Sequence, residues 1–286
     1  MDERNCLAIP LSKSAFAAVE QYMGLPTAFL DQINSMPTCF FKFSKQADNE
    51  TIHNGTPLFA IDLCCNRRSN SWHIGFICKI CSERGRFFYT FAILYNQERN
   101  LIQGLVIVNE NLKYIIPEFL NAVNTQKSYC DQLLLLPTIA VELLINYTGS
   151  RLNKLESTLK DIERLVGHKK YRDRPRGNPL EIDFLSTTRS LNYVSKKVGT
   201  NMLRVLSMLR ILKKMREFKR KLCAENKPQN GRPEQEDLAG SRLIDERIDY
   251  FMDSSEALFG ICEHQEKRAS TLLQVVGFSW WSSFGN

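Results

Sequence analysis

The feature that most constrains this chain is an apolar repeat in its second half. Leu152, Leu155, Leu159, Ile162 and Val166 recur at alternating intervals of three and four residues. Positions so spaced lie on one face of a helix, so this is the seam of a helix packed along its length against other helices. A similar seam returns in Leu191, Val194, Val198, Met202, Val205, Leu209 and Leu212, within a helix expected over about residues 182–222. It returns again in Ile244, Ile248, Phe251, Leu258, Cys262, Ala269, Leu272 and Val276. Three seams predict three long, coiled-coil-like helices. Gly167, followed by His168, Lys169 and Lys170, supplies a stop for the first, because glycine accepts a left-handed backbone and cations suit a carboxyl end. The polar stretch 224–240, with Pro228, Gly231 and Pro233, reads as a flexible linker, and Ser241 as the N-cap of the third helix.

The first part of the chain has a different period. Short helices are expected over Ser14–Tyr22 and Thr27–Asn34, the second with Pro26 beside its first turn. Strand-like runs rich in aromatic and β-branched residues follow at Leu58–Cys65, Trp72–Cys81, Phe87–Tyr95 and Leu101–Asn109. The links around Gly85 and between Asn96 and Asn100 are short and polar, which argues for an antiparallel meander. Pro117 to Val123 then reads as a helix lying on the sheet, with the proline in its first turn. The expected fold class is therefore α+β: an N-terminal α/β domain with a mainly antiparallel sheet, then three long helices. The expected divisions are an α/β domain over 1–125, a helical connector and basic helix over 126–223, the linker over 224–240, a stalk-like helix over 241–276 and a tail over 277–286.

Composition narrows the class of protein. With 286 residues, 43% hydrophobic and 24% charged, the chain is neither collagen-like, nor wholly disordered, nor polytopic. The longest apolar run, Leu133–Ile145, contains Pro137 and Glu142 and falls short of the roughly 20 residues that span a bilayer. The start Met1-Asp2-Glu3-Arg4 shows no secretory pattern, so the nine cysteines are expected as thiols, and the location as cytoplasmic. A net charge of +7 is too small to identify a nucleic-acid binder by itself.

Few residues are arranged for chemistry. Cys78 and Cys81, with Cys64, Cys65 and His73 nearby, have the look of a zinc motif. In a strand, however, residues three apart point to opposite faces, so buried small apolar cysteines are the stronger reading. Cys262 and His264 stand two apart on a helix and share no face, which leaves His264 on the surface. The second long helix ends in Arg204, Arg210, Lys213, Lys214, Arg216, Lys219, Arg220 and Lys221. The third carries Asp245, Asp249, Asp253 and Glu256 at spacings of four, four and three. Three readings compete for this acidic stripe: a solvated face, pairing with the basic helix, which is favoured, or a weak divalent-cation site for Mg2+ built from hard oxygen ligands. No phosphate loop, nucleophile elbow, zinc-protease or kinase motif occurs, and the chain is not read as an enzyme.

Several stretches together are similar to a known family. The runs Leu63–Arg68 and Trp72–Cys78, then Leu134–Leu144 leading into Arg151–Glu163, and Leu243–Tyr250 leading to Gln265–Val276, resemble the cytosolic domain of fungal CorA-like divalent-cation transporters. The resemblance implies an α/β domain, a helical connector, a long stalk helix, two transmembrane helices and a pentameric pore with a Gly-Met-Asn signature. Here Val276 is followed by Gly277, Phe278, Ser279, Trp280 and Trp281, and no Gly-Met-Asn occurs. The expectation is a chain truncated before the membrane helices, belonging to a magnesium-transport family but unable to conduct ions alone. The partners implied are further copies of the chain or full-length CorA-like subunits, with a membrane met only through the family's absent helices and nucleic acid disfavoured. The alternative is a soluble coiled-coil interaction protein whose basic helix binds an acidic partner or an anionic surface. The aromatic tail over 277–286, without heptad continuity, is expected to be dispensable for folding and to promote aggregation.

Overall fold

The computed structural model describes residues 13–23, 39–46, 72–81, 87–96, 101–108, 116–167, 183–225 and 235–284. In chain order these are α1 (Lys13–Met23), β1 (Cys39–Gln46), β2 (Trp72–Cys81), β3 (Phe87–Asn96), β4 (Leu101–Val108), α2 (Ile116–Thr125), a 3-10 turn (Lys127–Tyr129), α3 (Leu135–Leu165), α4 (Phe184–Glu225) and α5 (Gln235–Phe284). Among the described residues the class is α+β, mostly helical, with one antiparallel sheet. The chain gathers into two compact units, and neither is a continuous stretch. One comprises Met1–Val141 with Arg210–Tyr250, the other Glu142–Leu209 with Phe251–Asn286. The sequential division expected at residue 125 does not describe this grouping, because each long helix gives residues to both units.

In the first unit the strands follow one another in the order β1-β2-β3-β4, each antiparallel to the next. β3 is buried on both faces: Tyr89, Phe91 and Ile93 point one way, Thr90 and Ala92 the other, and all are inaccessible to solvent. The rings of Tyr89 and Phe91 stand 6.0 and 6.3 Å from that of Phe119, which fixes α2 on that face. Gly104 pairs with Ile93, and a Cβ there would come within 3.1 Å of Leu136 Cδ1. The glycine thus leaves a socket into which the first turn of α3 packs. Elsewhere in this unit, Ile211, Leu212, Met215 and Phe218 of α4 and Ile244 and Ile248 of α5 are buried. The ion pairs Arg216–Asp249 and Lys219–Asp245 show that α4 and α5 run antiparallel here, since one number rises as the other falls.

The second unit is a helical bundle. Leu152, Leu155, Leu159 and Ile162 of α3, with Val166 just past its end, form one core with Leu191, Val194 and Val198 of α4 and with Cys262, Ala269, Leu272 and Val276 of α5. α3 ends as its composition predicts, with Gly167 at φ 68° and its N–H donating to the Arg164 carbonyl over 3.1 Å. α4 starts at a side-chain cap, where Asp183 Oδ1 accepts from the Ser186 N–H at 3.1 Å, worth about 1 kcal/mol.

Several expectations need correction. β1 replaces a segment read without a strand, whereas the expected strand Leu58–Cys65 and helix Thr27–Asn34 lie outside the described residues. α5 begins at Gln235, so Ser241 is inside the helix and not its cap, and α4 reaches Glu225. The linker therefore shrinks to the interval between them. α5 also continues through Gly277 to Phe284, where a break was expected, because one glycine costs a helix only about 1 kcal/mol, less than an established helix loses by ending.

Leu159 lies in the bundle core and Leu203 is 63% exposed on α4. Leu159→Ala should cost about 2–5 kcal/mol and Leu203→Ala no more than about 0.5 kcal/mol in chemical denaturation followed by circular dichroism.

Candidate functional site

The acidic stripe resolves first. Lys219 Nζ lies 2.8 Å from Asp245 Oδ2, Arg216 pairs with Asp249, and the Lys219 ammonium also donates to the Ser241 carbonyl. Two of the four stripe residues thus serve the pairing that the basic helix predicts. Asp253 and Glu256 are exposed on the next turns of α5. No group of three or more His, Cys, Asp or Glu side chains placed to hold a metal occurs among the described residues. A cation centred on Asp245 and Asp249 would have to displace Lys219 and Arg216, so the geometry favours ion pairing over the Mg2+ reading.

The cysteine readings fare similarly. Cys78 is a buried free thiol within β2, as a strand residue should be, while Cys64 and Cys65 lie outside the described residues. Cys262 is buried in the bundle and His264 is exposed. Burial pushes the Cys262 thiol up to about 11, although the nearby Arg204 cation opposes it. A thiol held neutral in this way is a packing residue and a poor nucleophile.

The polar groups of the second unit are the ones that sequence reading passed over. On α4 the buried series runs Leu191, Val194, Val198, Asn201, Val205, Met208, Leu212 and Met215, in unbroken steps of three and four. Asn201 is a seam residue and Met202 only flanks it. On α5, Ser255 and Gln265 likewise occupy seam positions and are buried. Carrying the three-four count through polar residues would have identified them.

Around these residues lie two polar clusters. In one, the buried Arg204 guanidinium donates to Asn201 Oδ1 and stands 5.3 Å from the centre of the Tyr147 ring. Arg151 donates to the Tyr147 hydroxyl at 3.0 and 3.1 Å. The aromatic ring gives a buried cation on α4 a favourable place against α3. In the other, Arg268 of α5 forks onto Glu163 of α3, Nε to Oε1 at 2.8 Å and Nη2 to Oε2 at 2.9 Å. Its remaining nitrogen bonds Glu156, and Gln265 Nε2 donates to the Leu152 carbonyl at 3.0 Å. Residue numbers rise together in these contacts, so α3 and α5 are parallel within the unit. The Glu163 side chain is only 2% exposed. The hydrogen bonds to Glu163 raise the Arg268 pKa further above its already high value. For Glu156, burial pushes the carboxyl up, but the Arg268 and Lys160 contacts more than offset it and hold the group below its usual value of 4.5.

An open groove of about 840 Å3 runs between α3 and α5 in the same unit, half of its lining being the small residues Gly149, Ser150, Ser157, Ser254 and Ala257. It brings no acid-base pair together. The arrangement as a whole holds helices in register, and its charges face one another. No protein-family model, curated protein or solved structure matches this chain.

Three outcomes follow for measurement. Arg268→Ala removes the guanidinium fork from the buried Glu163 carboxylate and should cost about 3–5 kcal/mol, while Glu163→Leu with Arg268→Leu should recover most of that loss. Asp249→Asn should cost about 0–1 kcal/mol and Asp245→Asn, whose partner Lys219 is buried, about 1–3 kcal/mol, each by the same amount with and without Mg2+. Because the Glu156 pKa is lower folded than unfolded, its contribution is complete above about 4.5 and is lost as pH falls through the folded value. Unfolding free energy should therefore decline on acidification, and Glu156→Gln should make that decline shallower.

Proposed function

We propose that this chain is the cytosolic, non-catalytic part of a CorA-like divalent-cation transport assembly. The observation that carries the reading is α5, 50 residues long without a break and contributing to both compact units. A stalk helix that follows a sheet domain and a helical connector has this character. The order of elements supports it: an antiparallel sheet, then α3, α4 and α5, in the order that the resembling stretches imply. So does the use of charge, since Glu163, Arg268, Asp245 and Asp249 tie helices together instead of converging on a reaction centre.

Magnesium in this reading is the cargo of the assembly and not a resident ligand of the acidic stripe. No helix among the described residues is long and apolar enough to cross a membrane. The test is capture. A tagged chain expressed with a full-length CorA-like subunit and extracted in mild detergent should bring that subunit down at a fixed ratio. Recovery of the chain alone at every Mg2+ concentration tried would overturn the proposal.

A further inference from the structure

Within the second unit, the face of α4 turned away from the bundle core carries charge of one sign only. Between the Asp183 cap and Leu209 the helix has no acidic residue. Of its four cations there, Arg204 is buried in the cluster with Asn201 and Tyr147. Arg189 and Lys196 are exposed and Lys197 is half-buried, and among the described residues no acid pairs with any of them. The same face holds Leu185, Tyr193 and Leu203, which are 62%, 55% and 63% exposed. At about 3.6 residues per turn Leu203 stands about five whole turns above Leu185, on the same line and about 27 Å along the axis. Arg189, Asn192 and Lys196 lie within about 40° of that line, and the buried Val194 lies on the opposite side. The Tyr193 ring flanks the row, with Lys197 Nζ 5.7 Å from its centre.

The order of these residues along the row selects the partner. A protein interface gathers apolar side chains at its centre and leaves charge to its rim. Here the cations hold the centre and the leucines the two ends, which is the reverse. Nucleic acid would satisfy the cations, but its phosphates and sugars offer nothing to two exposed leucines. A lipid surface satisfies both. Anionic headgroups lie under every part of the row, and a leucine can enter the acyl boundary wherever it stands. Tyrosine, with an apolar ring and a polar tip, suits the same depth. We propose that this face of α4 docks on an anionic membrane surface, its axis along the membrane plane. Arg189, Lys196 and Lys197 then meet lipid phosphates and carboxylates, and Leu185 and Leu203 insert at either end. The surface lies wholly within the second unit, and the proposal stands or falls independently of the transporter reading.

Vesicle flotation with the full chain tests it. Vesicles of phosphatidylcholine with about 30% phosphatidylserine should carry the chain upward at about 50 mM salt, and vesicles of phosphatidylcholine alone should not. Lys196→Glu with Lys197→Glu should lower the apparent affinity by at least about twentyfold, since each cation near the surface contributes about fivefold. Leu185→Ser with Leu203→Ser should lower it by roughly tenfold while the slope of affinity against salt stays that of the wild type. A Cβ on Gly199, beside the row, would meet nothing within 4 Å. Gly199→Lys should therefore tighten binding by about fivefold and Gly199→Glu should weaken it. Each variant should retain the helical circular dichroism of the wild type. A wild-type chain that ignores the phosphatidylserine vesicles, including one retained instead on duplex DNA, would overturn the proposal. So would leucine or lysine variants that float as the wild type does, or Gly199 variants of either sign that act alike.

Discussion

An apolar seam that repeats every seven residues is nearly self-similar, so helices packed through such seams can slide by one repeat, about 10.5 Å, and still bury leucine against leucine. Glu163 and Arg268 remove that freedom from the second unit. Shifted by seven, α5 would present Ile261 or Val275 to the buried Glu163 carboxylate, and Leu258 or Leu272 where Gln265 now bonds the Leu152 carbonyl. A carboxylate only 2% exposed and without its guanidinium is far costlier than any leucine contact regained. Leu152, Leu159 and their partners supply the free energy of this bundle. The ion pair selects which of several similar bundles forms.

The first unit uses shape where the second uses charge. Its central strand is buried on both faces, so what lies over β3 must fit closely. The Phe119 ring meets Tyr89 and Phe91, and Leu136 enters the space left open by Gly104. On the helical side, Arg247 donates to Gln126 and the pairs of Lys219 and Arg216 hold α4 to α5. The Arg216 pair is largely exposed and contributes little, whereas the Lys219 ammonium is buried and needs its partners; together they complete an edge whose apolar side is Ile244, Ile248, Met215 and Phe218.

The helices were legible in the sequence because helical burial writes a local period. Every apolar seam residue named for the three long helices is buried or half-buried, as are Phe119 and the buried strand residues Cys78, Phe91 and Ile93 within the β2 and β3 runs. Ends were less legible. Ser241 has the chemistry of a cap, yet α5 starts six residues earlier, because capping residues are common and a helix already packed at Ile244 extends cheaply. β1 escaped notice because Cys39–Gln46 carries two lysines, and a strand's place in a sheet depends on a partner distant in the chain. The polar clusters were least legible. Glu163, Gln265 and Arg268 look like surface residues until the seam is counted through them, and which carboxylate meets which cation is decided by helix pairing that no local pattern records.

Neither compact unit is continuous along the chain, and this orders events during synthesis. Met1–Val141 cannot complete its unit until Arg210–Tyr250 has been made, about 110 residues later, a wait of roughly 5–20 s at ordinary ribosome speeds. Through that interval the segments of α4 and α5 that belong to the sheet's unit do not exist, while Glu142–Leu209, already outside, lacks the part of α5 that buries its leucines. Phe251 onward, translated after both, closes the bundle. A nascent chain of this design exposes apolar surface for most of its synthesis, and its demand on chaperones is set by the order of its segments as much as by its final stability.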